Sequence, residues 1–292
     1  MLNRMTIITS PSNPRISKLQ QLHTTRGRKK SGLFLMEGPH LLEALLDAQV
    51  WPHEVYYQPE LLQRTAAGRT LHARLLNAFV GSSPLRGPVL VEVSERVIEA
   101  ISDAQTSQGV ISVLPLSALQ PEAIQARRVE RARPMLLILD DLADPGNMGT
   151  ILRTALAADV SQVLLTPNCV DYYSPKVVRA AAGAHVALPV ETGLSWTAIA
   201  ERVAEHGAKE GRVLLAEASG QTPYYHLDLT RPFALIIGNE AHGPSLEARA
   251  LASLTITIPL ANKVESLNAA MAAGIVLYEA VRQAHIGHGE QP

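Results

Sequence analysis

The stretch LDDLADPGNMGTILRTA, Leu139–Ala155, decides the fold because it joins an apolar run to a helical pattern through a polar turn. The apolar residues Met135–Leu139 lead into it and predict a buried strand. The residues Asp144–Asn147 are typical of a tight turn, and we expect a helix to begin at Gly149 or Thr150. A strand followed closely by a helix is the repeating unit of a parallel α/β sheet.

The same alternation of apolar runs with helical patterns continues to the end of the chain. Its further strand candidates are Gln162–Leu165, Gly211–Ala216, Phe233–Ile237 and Leu254–Ile258. Continuous apolar strands separated by helices predict a parallel sheet that is covered on both faces. Because ligands bind beyond the carboxyl ends of such strands, we expect a site at that edge of the sheet.

Three polar loops follow predicted strands and therefore belong to this edge. The first carries Asn147, with Arg153 about one turn inside the helix. The second is IIGNEAHGPS, Ile236–Ser245, and the third is IPLANKVESLNAAMAAGI, Ile258–Ile275, which opens onto an alanine-rich helix with Ser266 as the predicted N-cap. Each loop alone is explained by an ordinary turn or cap. Together they predict polar groups that converge on one site.

The composition is that of a folded globular protein, with 292 residues, 47% of them hydrophobic, and a net charge of -1. The single cysteine, Cys169, excludes an intramolecular disulfide and a multi-cysteine zinc site, which fits a reducing compartment. The N-terminus lacks the layout of a signal peptide, and no apolar run approaches the ~20 residues that span a bilayer. We predict a cytoplasmic protein without membrane association.

The N-terminal segment is basic, since no acidic residue precedes Glu37. Its cations are Arg4, Arg15, Lys18, Arg26, Arg28, Lys29 and Lys30. Such a run is either a solvated tail or a face that binds a polyanion, and charge alone does not decide between them.

Shifts in composition divide the chain into two domains. The first half alternates apolar runs with amphipathic stretches, and we predict a small α/β domain over residues 1–118. Its predicted elements are the strands Leu33–Met36, Val89–Val93 and Gly109–Leu114 and the helix His40–Ala48. Prolines and arginines then interrupt the periodicity, which predicts a linker at residues 119–134 and a second domain at residues 135–292.

Several chemistries are disfavoured by the absence of their motifs. No G-x-G-x-x-G follows the first strand of the second domain, and no G-x-x-x-x-G-K-[ST] occurs, which argues against nicotinamide and ATP chemistry. The histidines are scattered and form no H-E-x-x-H pair, so we expect no catalytic metal. A serine nucleophile in a G-x-S-x-G elbow is also absent.

In order and spacing, the three loops resemble the motifs of the SpoU (TrmH) family of S-adenosylmethionine-dependent RNA ribose 2′-O-methyltransferases. YYSPKVVRAAAGAH, Tyr172–His185, resembles the family's Ser-x-Lys-x-x-Arg-Ala helix. In the first half, SPSNPRISKLQQL, GLFLMEGPHLLEAL and TSQGVISVL resemble landmarks of the substrate-binding domain that precedes the catalytic domain in many members. The resemblance thus covers nearly the whole chain.

The resemblance implies an α/β SPOUT domain in which the C-terminal segment threads through a loop to make a trefoil knot. It implies a smaller ribosomal-protein-L30e-like α/β domain before it, and a homodimer formed through the catalytic domain. Small residues of the last helix would then allow close passage beside neighbouring backbone, although a simple helix of good propensity explains them too. These residues are Ala269, Ala270, Ala272, Ala273 and Gly274.

The catalytic residues that the resemblance implies are Arg153, Asn147, Glu240, Ser266 and Asn268. In this family the arginine is the residue usually proposed to activate the ribose hydroxyl. A guanidinium is a poor base, so a phosphate-orienting or electrostatic role is equally open. The asparagine of the first motif would position the ribose or the loop, and the glutamate would orient the arginine or the substrate. The serine and the second asparagine would complete the polar pocket.

The implied cofactor is S-adenosyl-L-methionine, bound by Gly238, Ile258, Leu260 and Leu267. The glycine suits close approach of backbone, and the apolar side chains suit an adenine face. Asn262-Lys263 stands where members often have small residues or glycine, which leaves the shape of this loop open.

The implied partner is structured RNA, and the basic segment then gains a function. Its side chains would contact phosphates while the folded RNA supplies the selection. They are Arg15, Lys18, Arg26, Arg28, Lys29 and Lys30. 23S ribosomal RNA is favoured because tRNA-specific relatives often lack the N-terminal domain. A tRNA methyltransferase, an antibiotic-resistance methyltransferase and a catalytically silent ribosome-assembly factor of the same build are the alternatives, and the intact catalytic set argues against the last.

Overall fold

A computed structural model describes residues 7–80, 89–126, 135–207 and 212–286. The chain divides into two compact units. The first comprises Met1–Leu119 and Tyr173–Val186, and the second comprises Gln120–Tyr172 and Ala187–Pro292. The sequence assigned Tyr173–Val186 to the second domain, whereas its contacts group it with the first unit.

The first unit is built on a four-stranded mixed sheet. Its strands are β1 (Leu33–Glu37), β2 (Glu54–Tyr57), β3 (Val89–Glu92) and β4 (Val110–Pro115), and its helices before residue 119 are α1 (Pro14–Gln20), α2 (Thr25–Ser31), α3 (Pro39–Asp47), α4 (Pro59–Leu62), α5 (Ala66–Val80) and α6 (Glu95–Ile101). The strand order is β1-β4-β2-β3, with β4 antiparallel to both neighbours and β2 parallel to β3. The predicted strands β1, β3 and β4 and the helix α3 are confirmed, and β2 was not predicted.

The second half of the chain supplies the remaining elements. The helices are α7 (Pro121–Gln125), α8 (Pro145–Ala157), α9 (Pro175–Ala180), α10 (Ala184–Ala187), α11 (Trp196–Glu205), α12 (Leu246–Leu251) and α13 (Ala269–Ile286). The strands are β5 (Met135–Leu139), β6 (Gln162–Leu165), β7 (Val190–Glu191), β8 (Val213–Ala216), β9 (Thr222–Pro223), β10 (Phe233–Ile237) and β11 (Leu254–Thr257). The helix α9 lies in the first unit.

A seven-stranded sheet forms the core of the second unit, in the order β7-β6-β5-β10-β8-β11-β9. Every pairing among its described strands is parallel, which confirms the predicted sheet. The strands β5, β6 and β10 have the predicted bounds, whereas the two-residue strands β7 and β9 were not predicted. Because β10, β8 and β11 are neighbours, their carboxyl ends lie side by side and carry the loops that form the site.

Two helix starts differ from the predictions. α8 begins at Pro145, because the side chain of Asp144 caps it by accepting the N–H of Asn147 at 2.7 Å and proline suits the first helical turn. The predicted start at Gly149 or Thr150 was therefore wrong, since the predicted tight turn is the first turn of the helix.

The second correction concerns the cap of α13. The side-chain oxygen of Asn268 accepts the N–H groups of Ala270 and Met271 at 2.9 and 3.3 Å. Asn268 is therefore the N-cap, and the prediction of Ser266 was wrong.

The segment predicted as a linker, residues 119–134, contains the short helix α7. Residues 127–134 lie outside the described residues. In the part of the chain that the structure describes, no helix combines the length and the apolar character needed to cross a bilayer.

Candidate active site

A cavity of about 270 Å³ opens at the carboxyl ends of β8, β10 and β11. The loop after β10 supplies Gly238, Asn239, Glu240, Gly243 and Pro244, and the segment from β11 to α13 supplies Ile258, Leu260, Ser266, Leu267, Ala269 and Ala272. The four residues predicted to bind a cofactor, Gly238, Ile258, Leu260 and Leu267, all line this cavity. Most of its lining is aliphatic, which suits an apolar ring with few polar contacts.

A chain of hydrogen bonds connects three of the predicted catalytic residues beside this cavity. The side-chain N–H of Asn268 donates to the side-chain oxygen of Asn147 at 2.8 Å. The side-chain N–H of Asn147 in turn donates to Glu240 Oε1, also at 2.8 Å. The side-chain oxygen of Asn268 accepts the cap bond of α13, and this bond fixes the direction in which the side-chain N–H points. The three motifs thus converge as predicted.

The other two predicted catalytic residues lie outside this chain of bonds. Ser266 lines the cavity. Arg153 is exposed on α8, and its side chain makes no hydrogen bond or ion pair with any other residue that the structure describes. Its separation from Asn147 by six residues puts the two side chains on different faces of α8.

The turn after β5 holds the loop after β10 at both ends. Asp140 Oδ2 accepts the N–H of Ser245 at 2.7 Å, and the carbonyl oxygen of Asp141 accepts the side-chain N–H of Asn239 at 2.7 Å. Inside the loop, the side-chain oxygen of Asn239 also accepts the N–H groups of Ala241 and His242. The loop that forms one wall of the cavity is therefore fixed from two sides.

Holding the loop after β10 leaves the carboxylate of Asp140 buried and only partly hydrogen-bonded, which costs folding free energy. It is 1% exposed, and its Oδ1 has no hydrogen-bond partner within the described residues. Burial raises the pKa of Asp140 against the lowering effect of the Ser245 bond, and the nearby Asp141 and Glu247 raise it further. Sequence reasoning missed this residue, although its position directly after a predicted strand is the signal that could have found it.

Gly238 lies where no larger residue fits. A Cβ at this position would come within 2.7 Å of the backbone nitrogen of Pro244, so the loop folds back against the end of β10. The predicted contact of this glycine with a cofactor stays a prediction, and the close neighbour that the structure gives it is the backbone of Pro244.

The helix α13 packs against α8 and carries small residues where the two helices approach. Ala269, Ala270 and Ala273 are buried, and a Cβ on Gly274 would stand 3.7 Å from Thr154 Cγ2. These side chains allow the two helices that carry Asn268 and Asn147 to lie near one another.

The basic segment of the first unit contains one residue that differs from the prediction. Arg28 is 3% exposed, and its guanidinium donates to the carbonyl oxygen of Leu22 at 2.7 Å and to the hydroxyl of Thr25 at 3.1 Å. A buried guanidinium that satisfies backbone is a structural group, so the prediction that Arg28 contacts RNA does not fit its position.

The remaining predicted RNA contacts have different environments. Arg15 pairs with Glu54 at 2.9 Å and lies over the ring of Tyr56. The exposed residues are Lys18, Arg26, Lys29 and Lys30. Arg4 lies outside the described residues.

Comparisons with known proteins agree with this geometry. Residues 134–278 match the SpoU rRNA methylase family, and residues 13–112 match the MRM3-like substrate binding domain. A Synechocystis protein described as an uncharacterised tRNA/rRNA methyltransferase is 36% identical, over 94% of this chain and 93% of its own. The Bacillus subtilis 23S rRNA (guanosine(2553)-2′-O)-methyltransferase is 31% identical, over 93% of this chain and 97% of its own.

Solved structures give the same result. The SpoU methyltransferase AviRb from Streptomyces viridochromogenes, in complex with AdoMet, has a TM-score of 0.77 at 26% identity, covering 93% of this chain and 98% of its own. An AdoMet-bound rRNA methyltransferase from Sinorhizobium meliloti has a TM-score of 0.75 at 28% identity, covering 95% of this chain and 97% of its own. With its three motifs joined at one cavity and relatives that align along almost its full length, the chain belongs to the SpoU rRNA methylase family.

Proposed function

We propose that this chain transfers a methyl group from S-adenosyl-L-methionine to a ribose 2′-hydroxyl in 23S ribosomal RNA. The observation that carries the proposal is the chain of bonds from Asn268 through Asn147 to Glu240 at the edge of an apolar cavity. Relatives that align end to end with the chain include a 23S rRNA 2′-O-methyltransferase, and neighbouring structures hold AdoMet.

The cavity has the features that the cofactor requires. Ile258, Leu260 and Leu267 offer aliphatic surface to an adenine ring, and Gly238 keeps the end of β10 narrow. When bound, the cofactor supplies an electrophilic methyl group on its sulfonium. The protein must then hold the ribose hydroxyl in line with that methyl group.

The polar side chains divide this work. Asn147 is held between Asn268 and Glu240, and this connected set would orient the ribose. Arg153 has no described partner and is available to a phosphate of the RNA, which a guanidinium binds through two parallel hydrogen bonds. Its positive charge would also stabilise the alkoxide that develops as the hydroxyl loses its proton.

RNA binding rests on the first unit. Lys18, Arg26, Lys29 and Lys30 are exposed and available to phosphates. Arg15 retains partial access beside Glu54, and Arg28 is left out because it is buried. The match of residues 13–112 to a substrate-binding domain supports this assignment. The proposal includes a ribosomal-protein-L30e-like fold for this unit.

A homodimer through the second unit is also part of the proposal. Met271 and Tyr278 are 60% and 50% exposed and lie two helical turns apart on one face of α13. Val264 and Leu267, just before this helix, are exposed too. An apolar stripe next to the site fits a second copy of the chain.

Two further features complete the proposal. The first is a trefoil knot in the second unit, supported by the match of residues 134–278 to the SpoU rRNA methylase family and by the close packing of α13 on α8. The second is a cytoplasmic location, which is where ribosomal RNA would be reached in a bacterial cell.

Labelled S-adenosylmethionine incubated with the chain and with unmodified 23S rRNA or tRNA tests the function. We expect the label in 23S rRNA. The phosphodiester next to the methylated nucleotide should resist alkaline cleavage, because the 2′-hydroxyl that would attack it is blocked. Label in tRNA alone would mean that the substrate is tRNA and not 23S rRNA. Cofactor binding without label in either RNA would favour the silent assembly factor.

A further inference from the structure

The end of β8 contributes a carboxylate to the cofactor cavity that has no assigned function. β8 lies between β10 and β11 in the sheet, and Ala216 is in register with Ile237 on one side and Ile256 on the other. The next residue, Glu217, therefore stands between the two segments that form the cavity walls, and it lines the cavity with Ala216 and Ala218.

The carboxylate of Glu217 is held in place from outside the cavity. Arg249 on α12 donates one N–H to each carboxylate oxygen, at 2.6 and 2.7 Å. This two-point contact fixes the plane of the carboxylate. Arg249 and the hydroxyl of Ser219 also lower the pKa of Glu217, so the group is ionised at neutral pH.

The cavity has three other polar side chains, of which Asn239 is the most fully bonded, while Ser266 makes no side-chain hydrogen bond among the described residues. Asn239 bonds to Asp141 and to two backbone N–H groups, and Glu240 accepts from Asn147. The described residues that line the cavity include no Lys, Arg or His. An ionised carboxylate has about four lone-pair positions, so Glu217 keeps acceptor capacity after its bonds to Arg249. The cavity thus favours a ligand that brings hydrogen-bond donors to this position.

We propose that Glu217, oriented by Arg249, binds the two ribose hydroxyls of S-adenosylmethionine. Adjacent hydroxyls on a ribose present two donors to the two oxygens of one carboxylate. An acidic residue beyond a strand of a parallel sheet recognises ribose in the same way in dinucleotide-binding folds. The inference rests on the proposed function, because it assigns one part of the same cofactor.

The cofactor's ammonium group is the competing donor for this carboxylate. Two ligands separate the possibilities: 5′-methylthioadenosine keeps the ribose but lacks the amino-acid portion, and 2′,3′-dideoxyadenosine lacks both hydroxyls. Binding of each ligand, and of S-adenosylmethionine itself, is measured by calorimetry or by competition, on the full chain and on Glu217→Gln.

We expect Glu217→Gln to weaken binding of S-adenosylmethionine and of 5′-methylthioadenosine by about tenfold each, because a charged acceptor is replaced by a neutral one. Binding of 2′,3′-dideoxyadenosine should be unchanged. Loss confined to S-adenosylmethionine would identify the ammonium group instead, and equal loss for all three ligands would mean general damage to the cavity. Either result, or no loss at all, overturns the assignment.

Matched variants complete the test. Glu247→Gln changes an acid on the same helix as Arg249 that does not line the cavity, and it should bind all three ligands normally. Arg249→Met should weaken the two ribose-containing ligands less than Glu217→Gln does, and adding it to Glu217→Gln should cause little further loss. An additive loss in the double variant would contradict the idea that Arg249 acts through Glu217. A wild-type chain that binds S-adenosylmethionine normally while Glu217→Gln is unaffected overturns only this inference, whereas a wild-type chain without cofactor binding overturns the proposed function.

Discussion

The two walls of the cavity are built in opposite ways. The loop after β10, residues 238–245, is fixed at one end by Asn239 on Asp141 and at the other by Ser245 on Asp140. In the loop after β11, residues 261–268 are all exposed, and its tie to the rest of the site is the bond from Asn268 to Asn147. One wall of the cavity is a preformed surface. The other remains accessible to RNA or to a second copy of the chain.

The largest effect should come from a residue that belongs to neither wall. Arg153→Ala is expected to lower the rate of methyl transfer about 100- to 1000-fold, the scale of losing one charged donor at a reacting centre. Cofactor affinity should stay the same because Arg153 does not line the cavity. Single-turnover rates and calorimetry measure the two quantities. Arg231→Ala, an exposed arginine paired with Asp228, is the matched control, and near-normal turnover of Arg153→Ala would remove it from the catalytic set.

The fixed wall should respond strongly to a single methyl group. Gly238→Ala places a Cβ within 2.7 Å of the Pro244 backbone, and we expect about 3 kcal/mol of lost stability together with weaker cofactor binding. Gly274→Ala is the control, because its Cβ would make an ordinary contact at 3.7 Å and alanine favours a helix. Chemical unfolding and calorimetry measure the outcome. Equal stability of the two variants would mean that the loop after β10 is not held tightly.

Removing the bond at the far end of this wall should cost less. Asp140→Ala is expected to lose about 1–2 kcal/mol, because the N–H of Ser245 loses its acceptor while a buried charge is also removed. The cofactor KM should rise with little change in kcat. A variant with unchanged KM would show that Asp140 is dispensable for the shape of the loop.

The pH dependence of the same residue has a definite sign. Burial raises the pKa of Asp140, so its carboxyl favours the folded state when protonated, and that contribution is lost as pH rises from the unfolded value of about 3.9 through the folded value. Asn resembles the protonated acid. The stability of Asp140→Asn relative to wild type should therefore improve as pH rises above about 4, measured by urea unfolding across pH. The opposite slope would contradict the buried, ionisable state of this group.

The smallest effect should come from the exposed wall. Lys263 has a φ of 57°, in the left-handed region. Glycine adopts this conformation without strain, but it also has more freedom in the unfolded chain. These effects oppose each other, so we expect Lys263→Gly to change the free energy of unfolding by no more than about 0.5 kcal/mol. Cofactor affinity should not change. A loss above 1 kcal/mol, on the order seen for a buried contact, would mean that this wall is also held by packing.

The sequence predicts the parts of this architecture that are local. β5, β6 and β10 are continuous apolar runs because both faces of the sheet are covered, and that pattern is readable in one dimension. β7 and β9 hold two residues each, too few for any pattern. The place of the candidate site was predicted from the polar residues that directly follow strands.

The distant partners of single acidic residues could not be predicted from the sequence, even where a position directly after a strand marks the residue itself. Asp140 bonds to a residue more than a hundred positions away, and the partner of Glu217 lies on another element. Arg28 shows the same limit, since a run of positive charge does not reveal which guanidinium turns inward to a backbone carbonyl. Contacts set by tertiary packing decide these cases.

The position of β10 in the sheet has a consequence for biosynthesis. β5 is made early in the second unit, yet the strand that covers one of its edges is β10, after β6, β7, β8 and β9 have been synthesised. At about 5–20 residues per second, the apolar edge of β5 stays unpaired for roughly 5–19 seconds and that of β8 for roughly 1–3 seconds. Contacts between residues so far apart in sequence form slowly. A ribosome stalled before Phe233 would therefore hold a sheet that lacks its central strand, and we expect the unpaired strand edges to be most prone to aggregation in this interval.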